Sequence, residues 1–304
     1  MAETLPRMPS LRVQSVLYGN TVARVRQALD HLERAADIAI ACGIFSAVEL
    51  VYGDCSPHPT LDATEVDALR QRAAAVSKIG YRFFDRNLGS AGGHNRLLED
   101  IVQDCVLIMN PDVMVAPNAL VELARPLKDP RVGLVEARQL PVEHPKDYDR
   151  KSGETSWATT ACALVRTAPL ATLNGFDAES FFLYCDDVDL SWRLRLEGLK
   201  IIFQPSAVVF HDKRLSEDGQ WTPSDAERYY SAEAALMLAR KYSREDITRR
   251  LVQQFRTSGV DYLQRAASEF ESRRMAGTLP TALDPSHSVA EFVDGFYTRH
   301  RFPL

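Results

Sequence analysis

Residues 81–112 read YRFFDRNLGSAGGHNRLLEDIVQDCVLIMNPD. A short aromatic strand at 81–84 turns through a glycine-rich segment into a helix near 95–103, and a continuous apolar run at 106–109 then stops at Asn110-Pro111-Asp112. Two apolar runs joined through a helix form a βαβ unit, which lays its strands parallel in one sheet. The alternation extends both ways. Upstream are short apolar strands at 13–18 and 48–52, a helical pattern at 22–41 between them and a second helix at 66–78. Downstream are a helix at 118–124 and a strand at 132–137. This rhythm predicts the α/β class, a mostly parallel sheet flanked by helices.

Such a sheet binds ligands beyond the carboxyl ends of its strands. Gly19-Asn20, Asp54 with Ser56, the segment from Asn87 to Asn95, and Asp112 follow the first four strands and lie on that edge. The glycine-rich segment is neither a G-x-G-x-x-G fingerprint nor a P-loop. Its glycines and helix start suit close approach of a diphosphate, or serve as a plain strand-to-helix turn.

Size and composition set the class. The 304 residues hold one large domain, or a domain with a C-terminal extension. A net charge of −5 argues against a nucleic-acid surface. The start, MAETLPRMPS, lacks the apolar core of a secretory signal. No segment reaches the roughly 20 apolar residues that span a bilayer. The five cysteines are odd in number, scattered and never C-x-x-C, the pattern of reduced thiols in a cytoplasmic protein. Cys185 sits beside two carboxylates that would raise its pKa, so it is read as packing.

The second half carries the sharper chemistry. Residues 175–211 read GFDAESFFLYCDDVDLSWRLRLEGLKIIFQPSAVVFH. Asp186 and Asp187 open a helix that ends at Gly198, a good residue to follow a helix. Carboxylates there complement the helix dipole, or supply a general base. Phe176, Phe181, Phe182 and Tyr184 form an aromatic wall ahead of them, suited to shielding a base or stacking a sugar. Asp189 and Arg193 are spaced as an ordinary surface pair. Asp112 is a turn residue or a cation ligand. His211, beyond an apolar strand at 208–210, is structural or a metal ligand. Residues 141–156 are polar and read as a mobile loop, and 158–165 and 201–203 read as strands. From about 224 the chain turns helical, at 225–242, 244–255 and 261–275.

The ordered set Tyr18-Gly19-Asn20, Asp54-x-Ser56, Asn87-x-Gly89-x-Ala91-Gly92-x-x-Asn95, Asn110-Pro111-Asp112, Gly175-Phe176-Asp177, Asp186-Asp187-Val188-Asp189-Leu190, Trp192-Arg193-Leu194 and His211 resembles the family 2 inverting glycosyltransferases. Within them it is most similar to the rhamnosyltransferase and galactofuranosyltransferase-like branch, over residues 11–215. The resemblance implies a GT-A, Rossmann-like nucleotide-sugar-binding and catalytic domain at 1–215 and a helical extension at 216–304. It implies Asp187 as catalytic base, with Asp186 in place of the more usual Glu. Asp112, with Asn110 replacing the first carboxylate of the family's D-x-D, and His211 would hold Mg²⁺ or Mn²⁺. Asp54 would meet the donor nucleobase, with Tyr18, Asn20, Ser56, Asn87, Gly89, Gly92, Asn95 and Asn110 around the donor. Trp157, Phe176, Asp177, Tyr184 and Arg193 fall on the acceptor side.

The resemblance thus implies transfer of a sugar from a nucleotide-sugar donor to a bacterial glycan or lipid-linked acceptor. dTDP-rhamnose is the first donor expected and a UDP-hexose the second. The protein is expected in the cytoplasm, at the inner face of the membrane if the acceptor is lipid-linked. The C-terminal helices pack on the catalytic domain, form a homodimer, or make a peripheral membrane contact. The segment from Phe292 to Phe302, with Arg299 and Arg301, folds over the site or anchors on a partner. Two other classes compete. A nucleotidyltransferase needs a basic phosphate-gripping loop near the N-terminus, and Tyr18-Gly19-Asn20 has none. A non-catalytic sugar-nucleotide-binding scaffold would have no need of Asp112, Asp187 and His211 together.

Overall fold

The computed structural model describes residues 8–212 and 223–298. In chain order the elements are β1 (Ser10–Leu17), α1 (Val22–Ala41), β2 (Ala47–Asp54), α2 (Ala63–Arg72), β3 (Val76–Phe83), α3 (Gly89–Leu98), β4 (Cys105–Met109), β5 (Val113–Val115) and α4 (Ala119–Ala124). After these come β6 (Val132–Leu140), β7 (Glu154–Thr155), β8 (Cys162–Arg166), α5 (Thr167–Thr172), α6 (Asp186–Leu196), β9 (Lys200–His211), α7 (Asp225–Lys241), α8 (Glu245–Thr257) and α9 (Asp261–Ala276).

One mixed sheet runs in the order β3-β2-β1-β4-β8-β6-β9-β5, with β7 paired to β9. β1, β2, β3, β4, β6 and β9 run one way, and β5, β7 and β8 run against them. The expected mostly parallel α/β sheet is therefore what forms. On one face, α1 lays down a stripe of Val25, Ala28, Leu29, Leu32, Ala35, Ala36 and Ala39 at helical spacing. That stripe joins the inward residues of β1 and β2 in the main core. Each fully buried Leu or Val contributes about 1.5–3 kcal/mol by leaving water.

Several element limits differ from the sequence reading, each for a tertiary reason. The helix expected at 66–78 ends at Arg72. The Glu33 carboxylate of α1 accepts the backbone N–H groups of Ala74, Ala75 and Val76 at 2.8, 2.6 and 2.9 Å, which delivers the chain into β3. The helix expected at 95–103 starts at Gly89 instead. The two apolar runs at 201–203 and 208–210 are one strand, β9, whose register with β6 shifts around Pro205. Residues 141–156 are not a free loop: β7 pairs with β9, Tyr148 bridges to Thr155, and the Lys146 side chain is 2% exposed. β5 and α5 went unread because three- and six-residue segments carry little periodicity.

The C-terminal helices pack on the sheet domain. Ala232, Leu236, Tyr242, Leu251 and Phe270 share a core with Trp157, Phe181, Val188 and Trp192. α7 starts on a capping box between Ser224 and Glu227. Among the described residues no helix is long and apolar enough to cross a membrane. The boundary expected at 215/216 and the residues Arg299 and Arg301 lie outside the described residues.

Candidate active site

Two corners of the sheet's carboxyl edge gather the chemistry. At the first, β5 pairs antiparallel with the end of β9, and Val113 stands opposite His211. That pairing carries Asp112 to His211, with Oδ1 at 3.2 Å from Nε2. The backbone closes the corner, because Asp212 N–H donates to Asp112 C=O at 3.0 Å. His211 is 3% exposed, while the Asp112 side chain is 36% exposed and faces the opening. Asp212, next in the chain, is ion-paired with Arg24 of α1.

Behind His211 lies a fully engaged polar row. His211 Nδ1 is 2.7 Å from Gln139 Oε1, and Gln139 Nε2 donates to Thr159 Oγ1 at 2.7 Å. Thr159 Oγ1 donates to Glu136 Oε1 at 2.8 Å, and Glu136 Oε2 is ion-paired with Lys146. Glu136, Gln139 and Thr159 are all buried. Burial raises Glu136, to about 7, against the opposing pull of Lys146. The Lys146 ammonium also sits 4.0 Å over the Trp157 ring.

At the second corner α6 begins in an unusual way. Tyr184 and Cys185 both take positive φ, at 68° and 56°. Two successive non-glycine residues there hold the backbone in a costly conformation. This kink presents Asp186 and Asp187 in the first turn of α6. Asp186 is buried, and burial holds its carboxyl above the ordinary range although the nearby Ser90 hydroxyl pulls it down. Asp187 is partly open. Its carboxyl is raised to about 7, by desolvation first and by the Asp186 charge second, with Lys146 and the Thr160 N–H pulling it down. The thiol of Cys185 is pushed well up by burial and by the neighbouring Asp187. That agrees with its reading as packing.

The remaining expected residues divide by what their polar atoms already do. Asp54 is buried, and its carboxylate accepts from Ser56 N, Thr60 N and Tyr81 OH at 2.9, 2.7 and 2.5 Å. Burial raises its carboxyl, but the Ser56, Tyr81 and Thr60 hydrogen bonds outweigh that and leave it below the usual range. Ser56 Oγ takes the Gly19 N–H at 3.0 Å, and Asn20 Oδ1 takes the Tyr18 N–H at 2.9 Å, so these residues set the loops after β1 and β2. The Tyr18 ring is 59% exposed. Asn87 Oδ1 accepts from Gly89 N at 3.1 Å. Gly89 has a φ of +68°, and a side chain there would run into the Phe182 carbonyl, which already takes the Ser90 N–H at 3.1 Å. Gly92 lies on α3 against Leu88 and Ala178. Asn110 N–H donates to Ala161 C=O at 2.9 Å, which ties the end of β4 to the segment before β8.

Five residues expected around the substrates have their side chains engaged in the protein's own packing and hydrogen bonding. The Asn95 amide clamps the backbone of Phe176 in both directions, at 2.7 and 2.8 Å. Phe176 and Trp157 are 3% and 2% exposed. The Arg193 guanidinium is spent on Asp189, Leu173 C=O and Gly175 C=O. Its partner Asp189 is 0% exposed, so this is a buried pair and not the surface pair expected. Asp177 belongs to the same interior network through Lys241, which lies 2.7 Å from Asp177 and 2.6 Å from Asp189. Tyr184 stays on the partly open edge, its hydroxyl donating to Glu227 at 3.1 Å.

The sequence reading missed Glu136, Gln139, Lys146 and the pair Thr159-Thr160. Thr159 belongs to the row behind His211, and the N–H of the next residue, Thr160, is near enough to Asp187 to draw its carboxyl down. One dipeptide therefore reaches toward both corners. The one available signal was Glu136, a charge inside an otherwise apolar strand.

The donor set at the first corner suits a hard divalent cation, which takes carboxylate oxygen, imidazole nitrogen and the phosphates of a ligand. Among the described residues no cluster of three or more His, Cys, Asp or Glu side chains converges. Asp112 and His211 would therefore hold such an ion together with ligand phosphates and water.

No protein-family model matches the chain. In sequence it is similar to an N-acetylglucosaminyl-diphospho-decaprenol L-rhamnosyltransferase of Mycobacterium tuberculosis, 28% identical over 156 residues, 39% of this chain and 50% of that protein. It is also 31% identical over 97 residues to the rhamnosyltransferase WbbL of Escherichia coli, 32% of this chain and 36% of that one. The chain thus spans half or less of the length of the curated relatives it matches. In structure it is similar to the mannosyltransferase PcManGT from Pyrobaculum calidifontis, solved in complex with GDP-Man and Mn²⁺. The TM-score is 0.57 at 17% identity, over 93% of this chain and 79% of that one. The fold is that of the GT-A glycosyltransferases, and the resemblance to the rhamnosyltransferase branch of family 2 holds in the relatives themselves.

Proposed function

We propose that this chain is an inverting glycosyltransferase that moves a sugar from a nucleotide-sugar donor to a hydroxyl of a glycan or lipid-linked acceptor. What supports the reading is the meeting of Asp112 and His211 at one corner, with the raised carboxyl of Asp187 at the other. dTDP-rhamnose is the donor favoured by the likeness to rhamnosyltransferases, with a UDP-hexose second. The name of the mycobacterial relative describes a diphospho-lipid acceptor. This reading puts the reaction in the cytoplasm, at the inner face of a membrane if the acceptor is lipid-linked.

In this reading Asp187 accepts the proton of the acceptor hydroxyl while its oxygen attacks the anomeric carbon in line. The bond from that carbon to the diphosphate oxygen breaks as the new one forms, so a single displacement inverts the configuration. Desolvation and Asp186 keep Asp187 basic enough to take a proton, and the Val188 N–H donates to its Oδ1 at 2.8 Å. Asp112 and His211 would hold Mg²⁺ or Mn²⁺, which would supply positive charge beside the leaving nucleoside diphosphate. Tyr18, Asn20, Asp54 and Ser56 shape the donor side, and Tyr184 with Phe182 the acceptor side.

The test is a thermal-shift titration of dTDP, UDP and GDP, each with and without Mn²⁺, followed by a transfer assay with the nucleotide sugar of the binder. A metal-dependent shift with one nucleotide, and turnover lost in Asp187→Asn, supports the enzyme. Nucleotide binding without turnover in the wild type favours the alternative, a non-catalytic scaffold of the same fold.

A further inference from the structure

The hydrogen bonds behind His211 have a direction, and a residue four bonds away sets it. Lysine carries only donors and an ionised carboxylate only accepts, whereas hydroxyls and amides do both. Lys146 therefore donates to Glu136, leaving Glu136 Oε1 as the acceptor for the Thr159 hydroxyl. With its proton committed, Thr159 Oγ1 accepts from Gln139 Nε2 at 2.7 Å. The Gln139 amide is then held with Oε1 toward His211 Nδ1 at 2.7 Å, where a carbonyl oxygen requires an N–H. With the proton on Nδ1, a neutral ring turns its Nε2 lone pair toward the Asp112 carboxylate 3.2 Å away, the side on which the proposed cation would sit.

We infer that Lys146, acting through Glu136, Thr159 and Gln139, fixes which ring nitrogen of His211 carries the proton and so readies Nε2 for a divalent cation. All four are positioning residues, since none is proposed to touch the ion. The inference rests on reading Asp112 and His211 as the cation pair. Without Lys146 the row can reverse. A protonated Glu136 would donate to Thr159, Thr159 to a flipped Gln139, and the Gln139 NH₂ to Nδ1. Nε2 would then carry its proton toward Asp112, where the cation would otherwise bind.

Plain electrostatics forecasts the opposite effect. Removing a buried ammonium favours any other cation nearby, so Lys146→Met would tighten metal binding. The relay forecasts loosening, by about 10–100-fold, the usual loss when the partner that orients a ligand is removed.

The experiment has two arms on the full chain, with folding checked by circular dichroism. The first reads the His211 tautomer in metal-free, ¹⁵N-histidine-labelled protein at about pH 9, above the titration of an ordinary histidine. His211→Gln assigns the signal. Wild type is expected as the Nδ1–H tautomer, which is lost in Lys146→Met and Gln139→Leu and restored in the donor-only Lys146→Arg. An Nε2–H tautomer in wild type, or Nδ1–H unchanged in both variants, overturns the relay. The second arm titrates Mn²⁺ alone by electron paramagnetic resonance. Equal or tighter binding in Lys146→Met overturns the relay, and binding about 10–100-fold weaker supports it. If the tautomer is as expected but wild type binds no Mn²⁺, the cation reading falls and the relay stands. If Lys146→Met does not fold, Gln139→Leu, neutral for neutral, decides both arms.

Discussion

Asp112 Oδ1 and His211 Nε2 stand 3.2 Å apart, although one follows the fourth strand and the other ends the last. The three-residue strand β5 brings them together by turning back onto β9 directly after Asp112. Asp112→Ala and His211→Ala are each expected to abolish the Mn²⁺-dependent part of nucleotide stabilisation. A ligand at a hundred times its Kd stabilises the folded state by about 2.7 kcal/mol, a shift that a melting curve resolves. A full Mn²⁺-dependent shift in either variant would remove that residue from the site.

Asp187→Asn should lower kcat by about 10²–10⁴-fold, the usual contribution of a general base, with donor KM little changed. The pH profile follows from the raised carboxyl. Only the ionised form accepts a proton, so turnover is present above about 7 and declines as the pH falls through that value. Asp186→Asn removes a like charge and should move this acid limb to lower pH. An acid limb that ignores Asp186 would argue that another group titrates.

Lys241 sits between Asp177 and Asp189 at 2.7 and 2.6 Å, and Asp189 is wholly buried. Lys241→Met should cost about 3–5 kcal/mol, because Asp177 loses this cation and the buried Asp189 keeps Arg193 but loses its second. Denaturant unfolding measures this directly. A loss below about 1 kcal/mol, the range of an exposed pair, would contradict the burial.

Gly89→Ala meets both a positive φ and the Phe182 carbonyl. Backbone strain alone costs about 1 kcal/mol or more. The displaced Phe182 segment leads straight into Asp186 and Asp187, so activity should fall further than stability. Gly198→Ala shares the φ but has open space around it, and it is expected to lose stability alone. Equal effects on turnover would sink this account of Gly89.

The legible part of this protein is its local patterning. The 22–41 stripe matched α1 to the residue, because seven small or aliphatic side chains at helical spacing leave no other period. The apolar run at 106–109 and its stop at Asn110-Pro111-Asp112 likewise marked a strand end on the binding edge. Asp112, His211 and the Asp186-Asp187 pair stood out because charges at strand and helix ends are scarce and chemically distinct. Arg193, Asp177 and Asn95 stood out equally, yet their polar atoms are engaged by partners inside the protein. A polar side chain looks the same in the sequence whether it faces a ligand or a buried carbonyl.

By itself, then, the sequence determined the alternation of strands and helices, the edge of the sheet that carries the polar groups, and the carboxylates at that edge. Only the tertiary structure decided which of those groups meet. Lys146 entered the interior because the sheet offered it Glu136 and the face of Trp157. Gln139 gained its role from a histidine on a neighbouring strand. Both depend on contacts between residues distant in the chain, and a buried polar atom takes whichever partner the packing supplies because leaving it unpaired costs more.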